Sequence, residues 1–343
     1  MVREKITSER LQAMQAGIAE LQARLLDLVR AGLISMGQKT KERDFVSEYL
    51  QEFAARMVDA QLPSLAKRIR SWIAYHDTQP PDWHHYLLRE MGALYVFSKA
   101  FQKLDSFEEV WQDELLQQAG VTLKRNDLME RQGITDYWLV LGQVETPEVD
   151  NLTARRVYLF GKNSRRYILL LDYAFGTQAF AQLWLNGQTY LGEAVFYPST
   201  YPLRAILKSA ELAEGFSELI SYQSIADLLT GYAEAMSQNL WLPYFPALLD
   251  QMTPAFRNTD LYFVDAHQNY VYAAQGTPFG EGAENTYKIW EMLKPSSDKP
   301  MSVFGEWTGA EFRPLAAFVA GKYLSLQMET QRKERFWFDE FRN

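Results

Sequence analysis

Five cations stand in one stretch from Asn151 to Leu171 that holds no acid: Arg155, Arg156, Lys162, Arg165 and Arg166. Tyr158, Phe160 and Tyr167 interleave with them. Basic and aromatic side chains so mixed can grip a single-stranded nucleic acid by phosphate pairing and base stacking. The same residues also suit a protein partner, or a solvated strand edge whose arginines pair with acids elsewhere in a chain of net charge −8. A second candidate is the tail, where Phe336, Trp337, Phe338 and Phe341 fall within six positions. An aromatic cluster of that density either docks on its own protein or serves as a binding peptide.

Other reactive residue types form no recognisable catalytic or metal-binding pattern. His76, His84, His85 and His267 lack the H-E-x-x-H spacing of a zinc helix. Neighbours on a helix diverge by about 100°, so His84 and His85 do not readily share an ion. Gly276, Gly280 and Gly282 make a glycine-rich loop without the strand-turn-helix context of a dinucleotide fingerprint. Neither a phosphate-binding loop nor a nucleophile elbow is present. Glu193 and Glu306 occupy similar surroundings and could form an acid-base pair; the alternative places each on the solvent face of an equivalent strand. No cofactor or metal ligand set is expected.

Cysteine is absent, which removes disulfides, thiolate nucleophiles and cysteine-based zinc sites, and suits a reducing compartment. The first residues are charged and lead into no apolar stretch, and apolar runs stay far below the roughly 18 residues of a membrane span. The expectation is a cytoplasmic protein with no membrane segment. Its acidic balance disfavours general attraction to a phosphate backbone, although a local basic patch can still bind.

The elements that would position these residues fall in two parts. Leu11, Met14, Ile18, Leu21, Leu25 and Leu28 recur at alternating spacings of three and four, which predicts a helix from Ser8 to Ala31 stopped by Gly32. A second helix runs from Arg43 to Gln61 with Phe45, Tyr49, Phe53, Met57 and Val58 inward. Pro63 opens a third, bearing Leu65, Ile69, Trp72 and Ile73. After the Gln79-Pro80-Pro81 turn, Asp82 caps a fourth through Phe101. Ser106 and Glu109 read as a capping box for a short helix ending near Gly120. Beyond Gly133 the period changes to strands at Tyr137–Leu141, Arg156–Phe160 and Tyr167–Leu171, the latter two joined by a turn at Gly161-Lys162-Asn163-Ser164. Further strands are expected at Ala181–Leu185, Glu193–Tyr197, Leu261–Val264, Val303–Trp307 and Leu315–Val319, with a helix at Ser224–Gln238.

The fold class is therefore α+β: a helical bundle over 1–130, a mixed, largely antiparallel β domain with a few helices over 131–327, and a helical or extended tail over 328–343. Within the β part, Gly192-Glu193-Ala194 followed by Pro202-Leu203-Arg204-Ala205 echoes Gly305-Glu306-Trp307 followed by Pro314-Leu315-Ala316-Ala317. A repeated strand-turn unit would produce that echo, as would chance.

Several stretches together resemble a family. Gly17-Ile18-Ala19-Glu20-Leu21 leading into Leu26–Leu33, and Ala54–Ala66 with Asp59-Ala60-Gln61-Leu62-Pro63, look like the region following the finger in bacterial SWIM zinc-finger proteins. Trp138–Gly142, Phe196-Tyr197-Pro198 and Arg313-Pro314-Leu315 extend the likeness over about 15–318. The family's C-x-C…C-x-H finger would lie before Gly17, and this chain has no cysteine to build it, so zinc binding does not carry over. What the resemblance implies instead is company, in gene clusters with MoxR-type AAA ATPases and von Willebrand A-type proteins. The expected function is a noncatalytic protein-interaction or scaffold module, an adaptor beside such partners. The alternative is nucleic-acid binding through the hairpin from Arg155 to Arg166.

Overall fold

The helical period of the first third packs as read. In the computed structural model, which describes residues 2–3, 6–32, 40–77, 83–148, 151–215, 219–273 and 282–327, α1 (Ser8–Ala31) buries the six predicted apolar residues on one face. Its first turn is capped by Thr7, whose Oγ1 accepts from the Arg10 N–H, and Gly32 ends it at φ 86°. The helices α2 (Thr40–Asp59), α3 (Pro63–Asp77), α4 (Trp83–Gln102) and α5 (Glu109–Ala119) close the core around Phe53, Trp72, Leu94 and Leu116. Gly17 faces Ala60, and a Cβ there would collide with the Ala60 side chain. Glycine at that position sets how closely α1 meets the corner between α2 and α3.

Two local expectations shift. Val58 points outward, 42% exposed, because one step beyond Met57 carries it off the buried face that Phe53, Ala54 and Met57 share. Ser106 does not open α5; it closes a 3-10 turn over Leu104–Ser106, donating its hydroxyl to the Lys103 carbonyl, and Glu108 takes the N-cap place. The Gln79-Pro80-Pro81 turn, Asp82, Gly276 and Gly280 lie outside the described residues, as do Phe336, Trp337 and Phe338 of the tail; the Phe45 side chain is likewise not described.

After a short α6 (Arg125–Met129) the chain forms two five-stranded barrels of one connectivity. In the first, β1 (Ile134–Pro147), β2 (Leu152–Gly161) and β3 (Tyr167–Phe175) make a meander; β4 (Thr189–Phe196) returns to the other side of β1, and β5 (Ala205–Leu207) pairs with β4. The ring closes where the Leu169 N–H donates to the Leu203 carbonyl at 2.8 Å, beside a parallel bridge from Leu169 to Arg204. A short β6 (Glu211–Ala213) adds to β4, and α7 (Ile225–Gln238), capped by Ser224, leads to the second barrel. There β7 (Phe245–Arg257), β8 (Asp260–Val264) and β9 (Tyr270–Tyr272) form the meander. Then α8 (Gly282–Leu293) precedes β10 (Met301–Trp307) beside β7, and β11 (Phe312–Val319) beside β10. Closure again is a parallel bridge, Ala273 to Phe312. The last strand, β12 (Lys322–Ser325), pairs with the end of β11.

The echo in the sequence thus falls on equivalent strands, Gly192-Glu193 in β4 and Gly305-Glu306 in β10. The two glycines share a reason: a Cβ on Gly192 would meet the Ser209 carbonyl, and one on Gly305 the Arg313 carbonyl. Strand order first-second-third-fifth-fourth, closed by a parallel pair, is the connectivity of the OB barrel, which by itself assigns no ligand.

Each barrel has its own interior. Trp138, Val157, Ile168 and Leu207 fill the first, and Leu249, Phe263, Val303 and Phe312 the second. Between them Leu139, Leu141, Tyr158 and Phe160 meet Leu248, Phe304, Leu315 and Ala316. On its far side the first barrel inserts Val195 and Ile206 into the core of the helical bundle. The expected strand at Ala181–Leu185 is absent: this segment, lying between β3 and β4 as α8 lies between β9 and β10, is irregular and places Trp184 edge-on to Tyr190 at 5.2 Å. Sequence reading passed over α6, β5, β6, β7, β9, α8 and β12.

Candidate interaction surface

The five cations of the β2–β3 hairpin separate into two groups. Arg155 and Arg156 are only 4% and 8% exposed. Arg155 donates to Asp172 Oδ2 at 2.7 Å and to the Gln182 carbonyl at 2.6 Å, and stacks on Phe180 at 4.1 Å, so it fixes the irregular segment against the barrel. Arg156 crosses to the second barrel. Its Nε and Nη2 donate to the two oxygens of Glu306 at 2.7 and 3.2 Å, and it lies over the Tyr244 ring at 4.1 Å. The Tyr158 hydroxyl donates to the same carboxylate at 2.7 Å, and Arg313 approaches it at 3.4 Å. Burial alone would lower the Arg156 pKa, yet the Glu306 carboxylate beside it raises it, so the guanidinium keeps its charge. These two arginines therefore leave the surface, contrary to the nucleic-acid reading that enlisted all five.

Glu306 is fully buried, against the expectation of a solvent-facing strand residue. Glu193, by contrast, is partly exposed and accepts from Lys208 Nζ at 2.8 Å and from the Gly133 N–H at 2.7 Å. The two belong to different barrels with different cations, so they do not form an acid-base pair. His76 is buried edge-on to Trp83 at 4.7 Å. Among the described residues no three histidines or acids stand together as a metal site, and no described helix is long and apolar enough to cross a membrane.

The other three cations gather at the tip of the hairpin. Asp136, 1% exposed, builds the turn: it accepts from the Tyr137, Asn163 and Ser164 N–H groups at 2.7 to 3.1 Å and from the Asn163 side chain at 2.9 Å. Burial would raise its pKa, but the hydrogen bonds from Ser164, Asn163 and Tyr137 outweigh that and hold the carboxyl below the usual aspartate value. Arg165 completes the turn at φ 57°, a left-handed conformation uncommon outside glycine.

At this tip each cation lies over a ring: Lys162 over Tyr137 at 5.8 Å, Arg165 over Phe160 at 5.8 Å and Arg166 over Phe196 at 5.0 Å. The β3–β5 closure brings a fourth, Arg204, which lies over Tyr197 at 4.2 Å. Sequence reading did not enlist Arg204, because only the parallel bridge from Leu169 places it beside the hairpin. Its loop is anchored on the helical bundle: Ser199 Oγ donates to Glu114 Oε2 at 2.6 Å and Gln117 donates to the Pro198 carbonyl at 2.5 Å. Among the described residues none of the four cations has a carboxylate within ion-pair distance. A surface depression lined by Arg131, Gly133, Ala194 and Phe196 adjoins Arg166 through the shared phenylalanine.

Residues 9–119 match the SWIM-associated four-helix bundle domain. The matched region spans α1 to the end of α5 and stops before the barrels. A search of curated proteins and a search of solved structures find no match.

Proposed function

We propose that this protein is a noncatalytic interaction module that binds an acidic segment of a protein partner at the barrel tip formed by Lys162, Arg165, Arg166 and Arg204. The observation that supports this reading is the seating of all four cations on aromatic rings. A ring beneath a guanidinium orders its planar fork, so less freedom is lost when it takes a carboxylate in two parallel hydrogen bonds. The same seating argues against single-stranded nucleic acid. Base stacking needs open ring faces, and here Phe196 and Tyr197 already carry arginines, while Arg155 and Arg156 are spent inside the protein.

The SWIM-associated bundle fits an adaptor role, since through Glu114 and Gln117 it fixes the loop that delivers Arg204. In this proposal the MoxR-type AAA ATPases and von Willebrand A-type proteins that the resemblance implies are the first partners to test. The direct test is titration of the full chain with a labelled poly-glutamate peptide and, in parallel, with oligothymidylate. Salt-sensitive peptide binding that Arg166→Ala and Arg204→Ala weaken, with weaker oligothymidylate binding, supports the reading. Tighter oligothymidylate binding with the same sensitivity to these substitutions refutes it in favour of nucleic acid.

A further inference from the structure

The two barrels expose corresponding faces to different fates. In the first, the outer face of β2 and β3, with Tyr158, Phe160 and Tyr167, is covered by the second barrel; Tyr167 lies stacked on Phe304 at 6.0 Å. In the second, the corresponding outer face of β8 and β9 carries Tyr262, Tyr270 and Tyr272. The β8–β9 register sets Tyr262 opposite Tyr272 and Val264 opposite Tyr270, while Phe263 and Val271 turn into the barrel. Tyr262 meets Tyr270 and Tyr272 edge-on at 5.5 and 5.6 Å, and Tyr270 is 65% exposed.

Among the described residues the charges acting on Tyr262 and Tyr272 are mostly negative. Tyr262 and Tyr272 point their hydroxyls at the two oxygens of Asp260, at 3.4 and 3.5 Å. Burial, then the charges of Asp260 and Glu311, push Tyr272 up to about 12. Burial, then Asp260, likewise raises Tyr262, against a smaller opposing effect of Arg257. Electron-rich ring faces beside two carboxylates repel phosphate and attract a guanidinium or ammonium group, which can lie on a tyrosine face while pairing with a carboxylate.

We propose that the outer face of β8 and β9 is a second docking site, one that takes an arginine- or lysine-bearing peptide segment of a protein partner. Its polarity is opposite to that of the first barrel's tip, and it does not depend on the function assigned to that tip.

The test measures binding of a fluorescein-labelled peptide alternating arginine with serine to the full-length chain, by anisotropy at low and moderate salt. Wild type binds saturably, Tyr270→Phe retains binding, and Tyr270→Ala and Asp260→Asn each weaken it about tenfold, roughly what loss of one cation–ring contact or one opposite charge produces. Arg166→Ala at the other site leaves this binding unchanged, which separates the two proposals. Absence of saturable binding, or equal affinity for Tyr270→Ala and wild type, overturns the inference. So does binding of oligothymidylate or a chitin oligosaccharide that is lost in Tyr270→Ala while peptide binding persists, or self-association of the chain that Tyr270→Ala abolishes.

Discussion

Arg156 on β2 and Glu306 on β10, 150 positions apart in the chain, meet at 2.7 Å between the two barrels with the carboxylate fully buried. The pair, with Tyr158 donating to the same carboxylate, is a buried polar cluster beside the apolar contact of the two barrels, which Asn186 and Tyr323 also bridge by donating to Gln327 and to the Leu141 carbonyl. Removing one member leaves a buried charge without its counter-charge, which costs about 3–5 kcal/mol. Glu306→Gln is expected to lower stability by that amount in urea denaturation. The triple change Arg156→Met, Tyr158→Phe and Glu306→Leu removes the three buried members together, leaves only the partly exposed Arg313 without its carboxylate, and is expected to restore most of the loss.

Equivalence of β4 and β10 makes its own prediction. Gly192→Ala and Gly305→Ala each drive a Cβ into a backbone carbonyl that cannot swing aside, so each is expected to destabilise by about 1–3 kcal/mol. Gly92 in α4 has nothing within 4 Å of its Cβ position, and Gly92→Ala is expected to gain up to about 1 kcal/mol from helix propensity. Denaturation curves of the three variants check the set.

The turn that presents the barrel tip depends on pH through Asp136. Its carboxyl titrates lower in the folded chain than in the unfolded one. Its contribution is therefore complete above the unfolded pKa of about 3.9 and disappears as pH falls through the folded value. Asp136→Asn is expected to be less stable than wild type at neutral pH by about 1–3 kcal/mol, the cost of leaving buried N–H groups poorly satisfied. The gap should narrow as pH falls below about 4; a gap independent of pH would contradict the role assigned to the charge.

The helical third was legible because a helix writes its buried face into the sequence every three or four residues, and Leu11 through Leu28 do so without interruption. Strands flanked by turn residues, such as β2 and β3 around Gly161–Ser164, were also legible. Strand β7 was not: Phe245–Leu249 are all buried, so the two-residue alternation that marks a half-exposed strand is missing. Ala181–Leu185 has the composition of a strand but no neighbour to pair with, and Arg155 holds it instead. The site divides in the same way. Local sequence put Lys162, Arg165 and Arg166 together, but the burial of Arg155 and Arg156 depends on Asp172 and on Glu306, and the arrival of Arg204 depends on the barrel's closure. Such long-range partners leave no periodic trace.

The central claim is that the cations of the barrel tip bind a protein partner. The most direct measurement purifies tagged wild type from its native host beside a variant carrying Lys162→Ala, Arg165→Ala, Arg166→Ala and Arg204→Ala, with equal denaturation midpoints established first. The account predicts a stoichiometric partner with an acidic segment, retained on wild type in moderate salt and lost from the variant. Recovery of the same partner in equal amount on the variant would contradict it.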